Sequence, residues 1–82
     1  MPITYFVDVN EMSPEIKLEL SKLAIIKREL PSINTYILEF APEGRTYDEI
    51  NQSRENFIKT LKNYQFVRNV NRSRLVSPCC DG

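Results

Sequence analysis

Residues able to do chemistry are few in this 82-residue chain, and what is missing narrows the options first. There is no histidine, which removes the commonest general base, the Ser-His-Asp and Cys-His arrangements and most catalytic zinc sites. Cys79, Cys80 and Asp81 offer metal ligands in a row, but a zinc site takes four well-spaced ones, so no metal or other cofactor is expected. With only two glycines the chain has no room for a glycine-rich phosphate loop. Asp8 stands near the end of an apolar segment, where α/β folds often carry functional residues; a carboxylate in a turn or cap is the plainer reading. Arg68, Arg72 and Arg74 alternate with Asn69 and Asn71 and follow Tyr64 and Phe66, a basic stretch suited to contacting phosphates and stacking on bases. The same stretch also fits an edge strand protected by charge against aggregation.

These residues are positioned by a small number of elements. Ile3 to Val9 reads as a strand, with Ile3, Tyr5, Val7 and Val9 on one side and Thr4, Phe6 and Asp8 on the other. Ser13-Pro14-Glu15 marks a helix start: a capping hydroxyl, a proline suited to the first turn and an acid that complements the dipole. The spacing of Ile16, Leu20, Leu23 and Leu30 predicts that this helix runs to about Leu30 and stops before Pro31. Asn34 to Phe40 alternates as a second strand, with Thr35, Ile37 and Glu39 opposite Tyr36, Leu38 and Phe40. Thr46 and Glu49 form a capping box that opens a second helix, running to about Tyr64 with a thin stripe of Tyr47, Ile50, Phe57, Leu61 and Tyr64. Phe66 to Val76 is apolar at both ends and turn-prone between, so it reads as one bent strand or a hairpin.

The predicted architecture is therefore an α/β domain, an α+β two-layer sandwich of β-α-β-α-β order, with a right-handed parallel crossover between the first two strands. A reduced ferredoxin-like fold also fits, because only one strand is read between the helices where that fold has a hairpin. One compact domain is expected over residues 1–77, with residues 78–82 as a flexible tail. No segment is apolar for long enough to cross a bilayer, and the adjacent cysteine pair is not a disulfide framework. A cytoplasmic protein with no membrane partner is expected.

Net charge is zero but unevenly spread. Residues 1–44 set Lys17, Lys22, Lys27 and Arg28 against Asp8, Glu11, Glu15, Glu19, Glu29, Glu39 and Glu43. Residues 45–76 set Arg45, Arg54, Lys59, Lys62, Arg68, Arg72 and Arg74 against Asp48, Glu49 and Glu55. A basic second part suits an anionic partner, or simply complements the acidic first part within one fold.

Two short resemblances carry expectations of their own. Tyr5-Phe6-Val7-Asp8-Val9 and the helix after it resemble the start of the Cas2-like nucleases, a ferredoxin-like family in which an aspartate ends an apolar first strand. That resemblance implies a dimeric nuclease with Asp8 facing a metal. Met1-Pro2-Ile3 is similar to the start of the tautomerase superfamily, in which a freed N-terminal proline heads a β-α-β unit. That likeness implies Pro2 as a catalytic base.

Without a catalytic constellation, the residues favour a binding or regulatory protein over an enzyme. Leu18 and Ile25 are seven residues apart and lie opposite Ile16 and Leu20 on the predicted helix, a second apolar stripe that a helix packed on a sheet does not need. Phe6 and Ile37 fall on the sheet face away from the helices. The leading expectation is a small non-enzymatic interaction protein that binds a larger protein partner, alone or as a homodimer, through Leu18, Ile25, Phe6 and Ile37. The alternative is a nucleic-acid-binding module or metal-dependent nuclease using Arg68, Arg72 and Arg74, and the third is a Pro2-dependent enzyme.

Overall fold

A computed structural model describes residues 2–72 of the chain. Arg74, Leu75-Val76 and the expected tail with Cys79, Cys80 and Asp81 lie outside those residues. The element order is β1 (Ile3–Val9), α1 (Pro14–Ser21), β2 (Ile25–Leu30), a 3-10 turn (Pro31–Ile33), β3 (Thr35–Phe40), α2 (Tyr47–Asn63) and β4 (Val67–Arg72). The fold is α+β: one four-stranded sheet of order β2-β3-β1-β4, antiparallel throughout, and two helices.

The first helix departs from expectation. Ser13 caps it as anticipated, its Oγ accepting the backbone N–H of Glu15 at 3.1 Å and of Ile16 at 3.5 Å. It ends at Ser21, however, and a tightened last turn sends the N–H groups of Leu23 and Ala24 to the Leu20 carbonyl. Residues 25–30 then form a strand. The β-branched pair Ile25-Ile26 favours extended backbone, and pairing with β3 satisfies backbone groups that a longer helix would have satisfied internally. A helix of eight residues is too short to persist on its own. Burial of Ile16 and Leu20 against the sheet holds it.

The extra strand also corrects the expected parallel pairing. β1 and β2 run in the same direction with α1 between them, but β3 is inserted between them in the sheet and pairs antiparallel to both. The hairpin turns through Pro31–Ile33 and Asn34, which adopts φ 50°, ψ 51°. Asparagine is among the few residues other than glycine that take this left-handed conformation readily. Of the final segment, read as a bent strand or a hairpin over Phe66 to Val76, the described part Val67–Arg72 is a strand paired with β1 and bulged opposite Asp8 and Val9.

Both helices cover the same face of the sheet. Tyr5, Val7 and Val9 of β1 and Tyr36 and Leu38 of β3 share one buried cluster with Ile16 and Leu20 of α1 and Phe57 and Leu61 of α2. Phe57 stacks on Phe40 with ring centroids 4.0 Å apart and meets Tyr5 at 5.3 Å. Tyr47, placed on the α2 stripe by its spacing, is instead 77% exposed at the helix start. No described helix is long and apolar enough to cross a membrane.

Candidate interaction surface

The face of the sheet away from the helices is built by strand alternation. In β1 and β3, Phe6 pairs with Ile37, Thr4 with Glu39 and Asp8 with Thr35, each facing opposite to the buried Tyr5, Val7, Tyr36 and Leu38. In β2 a bulge at Lys27 resets the alternation. Before the bulge Ile25 pairs with Glu39, and after it Arg28 pairs with Ile37 and Leu30 with Thr35. Ile25, Arg28 and Leu30 therefore all lie on the outer face. Glu29 turns to the helix side, where its carboxylate meets Lys17 of α1 at 2.5 Å. That contact raises the Lys17 ammonium above the usual lysine range, chiefly through the hydrogen bond it donates to Glu29 and then through the charge of Glu29.

The outer face thus has an apolar diagonal. Ile25 is 62% exposed at the sheet edge, one diagonal step from Ile37, which is half-buried beside Phe6, also half-buried. Leu30 and the exposed Ile33 continue it at the hairpin end. Charges flank it: Lys27 lies 4.0 Å from Glu39, Arg28 stands on the β2 edge, and Asp8 accepts the Thr35 hydroxyl at 2.7 Å.

Three of the four residues expected to bind a partner are therefore together, and one is apart. Ile25 joins Phe6 and Ile37, but as a strand residue and not as the back of a helix. Leu18 is 59% exposed on α1, in the helical layer, beside Phe66 in a hollow rimmed by Glu11, Glu15 and Glu19. The stripe of Leu18 with Ile25 does not form, because the helix that would align them ends at Ser21. Ile33 was not anticipated; an isoleucine between Pro31-Ser32 and Asn34 has no regular element of its own to enter, and that is its signal in the sequence.

The basic residues are divided. Arg68 sits with Asp8, Ile33, Asn34 and Asn69 around a polar hollow at the end of the outer face. Arg72 pairs with Tyr5, whose side chain is in the core, so Arg72 belongs to the helix face. The two do not form one stripe. Asp8 is engaged by Thr35, and among the described residues no three His, Cys, Asp or Glu side chains cluster to hold a metal ion. Pro2 is exposed immediately before β1.

In comparisons with known proteins, the chain matches no family model, no curated protein and no solved structure.

Proposed function

We propose that this chain is a small non-enzymatic interaction protein that works as a homodimer, closed through the outer face of its sheet. We read the fold as ferredoxin-like, on the β-α-β-β-α-β order, the antiparallel sheet and the helices confined to one face. The observation that carries the function is the placement of Ile25 on the same face as the Phe6–Ile37 pair, with both helices on the other side.

The face complements itself. With a two-fold axis running along the strands between β1 and β3, Ile37 of one copy lies over Phe6 of the other. Asp8 then lies over Thr35 and Glu39 over Thr4, so no carboxylate meets its own copy. This disposition supports a second copy as the partner in preference to the larger partner that composition leaves open. The footprint also sets the strength. Four strands at about 4.8 Å spacing span roughly 19 Å, a small interface that supports a weak, concentration-dependent dimer.

Sedimentation equilibrium tests it. The full chain is expected to dimerise reversibly at micromolar to millimolar concentration, and Ile25→Asp with Ile37→Asp to remain folded by circular dichroism and monomeric. A wild-type chain that is monomeric throughout, or a variant that dimerises as well as wild type, contradicts the reading.

A further inference from the structure

On the helix side of the sheet, a buried hydroxyl lies within the electrostatic reach of two guanidinium groups. Tyr5 is fully buried, and its hydroxyl has no hydrogen-bond partner, the one such buried side-chain atom among the described residues. Arg72 stands directly across from Tyr5 in the β1–β4 register, on the same face. Arg54 of α2 is one helical turn before Phe57, whose ring meets that of Tyr5 at 5.3 Å. Both guanidiniums act on the Tyr5 hydroxyl: burial raises its pKa, and the charges of Arg54 and then Arg72 oppose that rise. Arg54 spends a donor on the Asn51 side-chain oxygen at 3.0 Å, which leaves the rest of its fork unused. Among the described residues the ion pairs are made by Lys17, Lys22 and Lys27, and neither Arg54 nor Arg72 has a carboxylate partner.

We propose that Tyr5, Arg54 and Arg72 form a binding site for a phosphate-type oxyanion at the seam between α2 and β4. A water molecule could satisfy the hydroxyl, but only an anion also neutralises the two cations whose charges act on it. The three donors belong to three different elements, Tyr5 to β1, Arg54 to α2 and Arg72 to β4. A tetrahedral oxyanion with several acceptor oxygens answers them all, whereas a carboxylate is satisfied by a single arginine fork. The site is on the opposite side of the sheet from the dimer face and does not depend on it.

Titration of the full chain with inorganic phosphate, followed by thermal unfolding against sodium chloride of matched ionic strength, tests the site. Phosphate is expected to raise the unfolding temperature saturably, and chloride is not. Arg54→Gln, at a half-buried position, and Arg72→Gln, at an exposed one, are each expected to weaken phosphate binding about tenfold while leaving the phosphate-free protein folded. Tyr5→Phe is expected to be no less stable than wild type without phosphate, because it removes a hydroxyl that lacks a partner, and to bind phosphate more weakly. A purely structural tyrosine would show the reverse order. Competition by a short single-stranded oligonucleotide identifies the source of the anion: displacement of phosphate assigns the site to a nucleic-acid backbone, and no displacement assigns it to a free phosphate group. A phosphate response no larger than that of chloride, or one fully retained when both arginines are replaced, overturns the proposal.

Discussion

Gly44 shows how narrowly one residue can be determined. Its φ is +143°, and a Cβ built there falls 2.6 Å from the Glu49 Cβ and 2.9 Å from the Ile50 nitrogen. Both the backbone conformation and the approach of the α2 start exclude a side chain. Gly44→Ala is expected to destabilise the fold by about 1 kcal/mol or more, measured by urea unfolding. Directly after it, Glu49 Oε1 accepts the backbone N–H of Arg45 at 2.7 Å and of Thr46 at 3.3 Å, and Thr46 Oγ1 accepts the Glu49 N–H at 3.1 Å. The hydrogen bonds from Arg45 and then Thr46 hold the Glu49 carboxyl below its ordinary value of 4.5. A group whose folded value is lowered stabilises fully above its unfolded value and loses that contribution as pH falls through the folded one. Unfolding temperature is therefore expected to drop on acidification below about pH 4.5, less steeply in Glu49→Gln, as followed by circular dichroism across pH 2–6. Thr46→Ala, which removes the reciprocal half of the box, is expected to cost about 1 kcal/mol at neutral pH.

The elements divide by whether their signals are local. The starts of both helices were legible because Ser13-Pro14 and Thr46 with Glu49 act within four residues of themselves. β1 and β3 were legible because each alternates cleanly. The boundary between α1 and β2 was not. Ile16, Leu20, Leu23 and Leu30 keep helical spacing, no glycine or proline interrupts residues 21–30, and Pro31 ends a helix as readily as it opens a hairpin turn. The edge of β3 decides it, and that is a tertiary fact. The outer face was half legible: Phe6 and Ile37 follow from alternation, while Ile25 reaches them through a strand and Leu18 does not reach them at all. The placing of Arg72 across from Tyr5 needs the β1–β4 register, and that of Arg54 the docking of α2 on the sheet, neither of which any spacing in the sequence encodes. The bulge at Lys27 gives this scale its own test. Lys27→Ala is expected to change stability by no more than about 0.5 kcal/mol, because its side chain is exposed and its ion pair loose. Deleting Lys27 removes the bulge and leaves Ile25–Ile26 and Arg28–Leu30 in one regular register against β3, with Glu29 still facing Lys17 and Leu30 still on the outer face; the fold is expected to survive with a change of no more than about 1 kcal/mol in urea unfolding.

At the scale of the whole molecule, the helices bury one sheet face and the two sides of the sheet carry different chemistry. The helix side has the core and a buried phenol on which the charges of two arginines act, and the outer side has an apolar diagonal with charges at its margins. Association through the outer face is expected to respond weakly to salt, because apolar contact drives it. Phosphate binding at the arginines is expected to strengthen as salt falls. The two activities should therefore separate in one salt series, with sedimentation reading the first and phosphate titration the second.

The most direct measurement of the central claim is an isotope-filtered NOE experiment on a mixture of labelled and unlabelled chains, which records contacts between copies only. Cross-peaks from the Ile25 and Ile37 methyls to protons of the second copy, with none at Leu18, are the expected result. Intermolecular contacts that bypass Ile25 and Ile37, or none at the concentrations reached, contradict the assignment of the outer sheet face as the dimer surface.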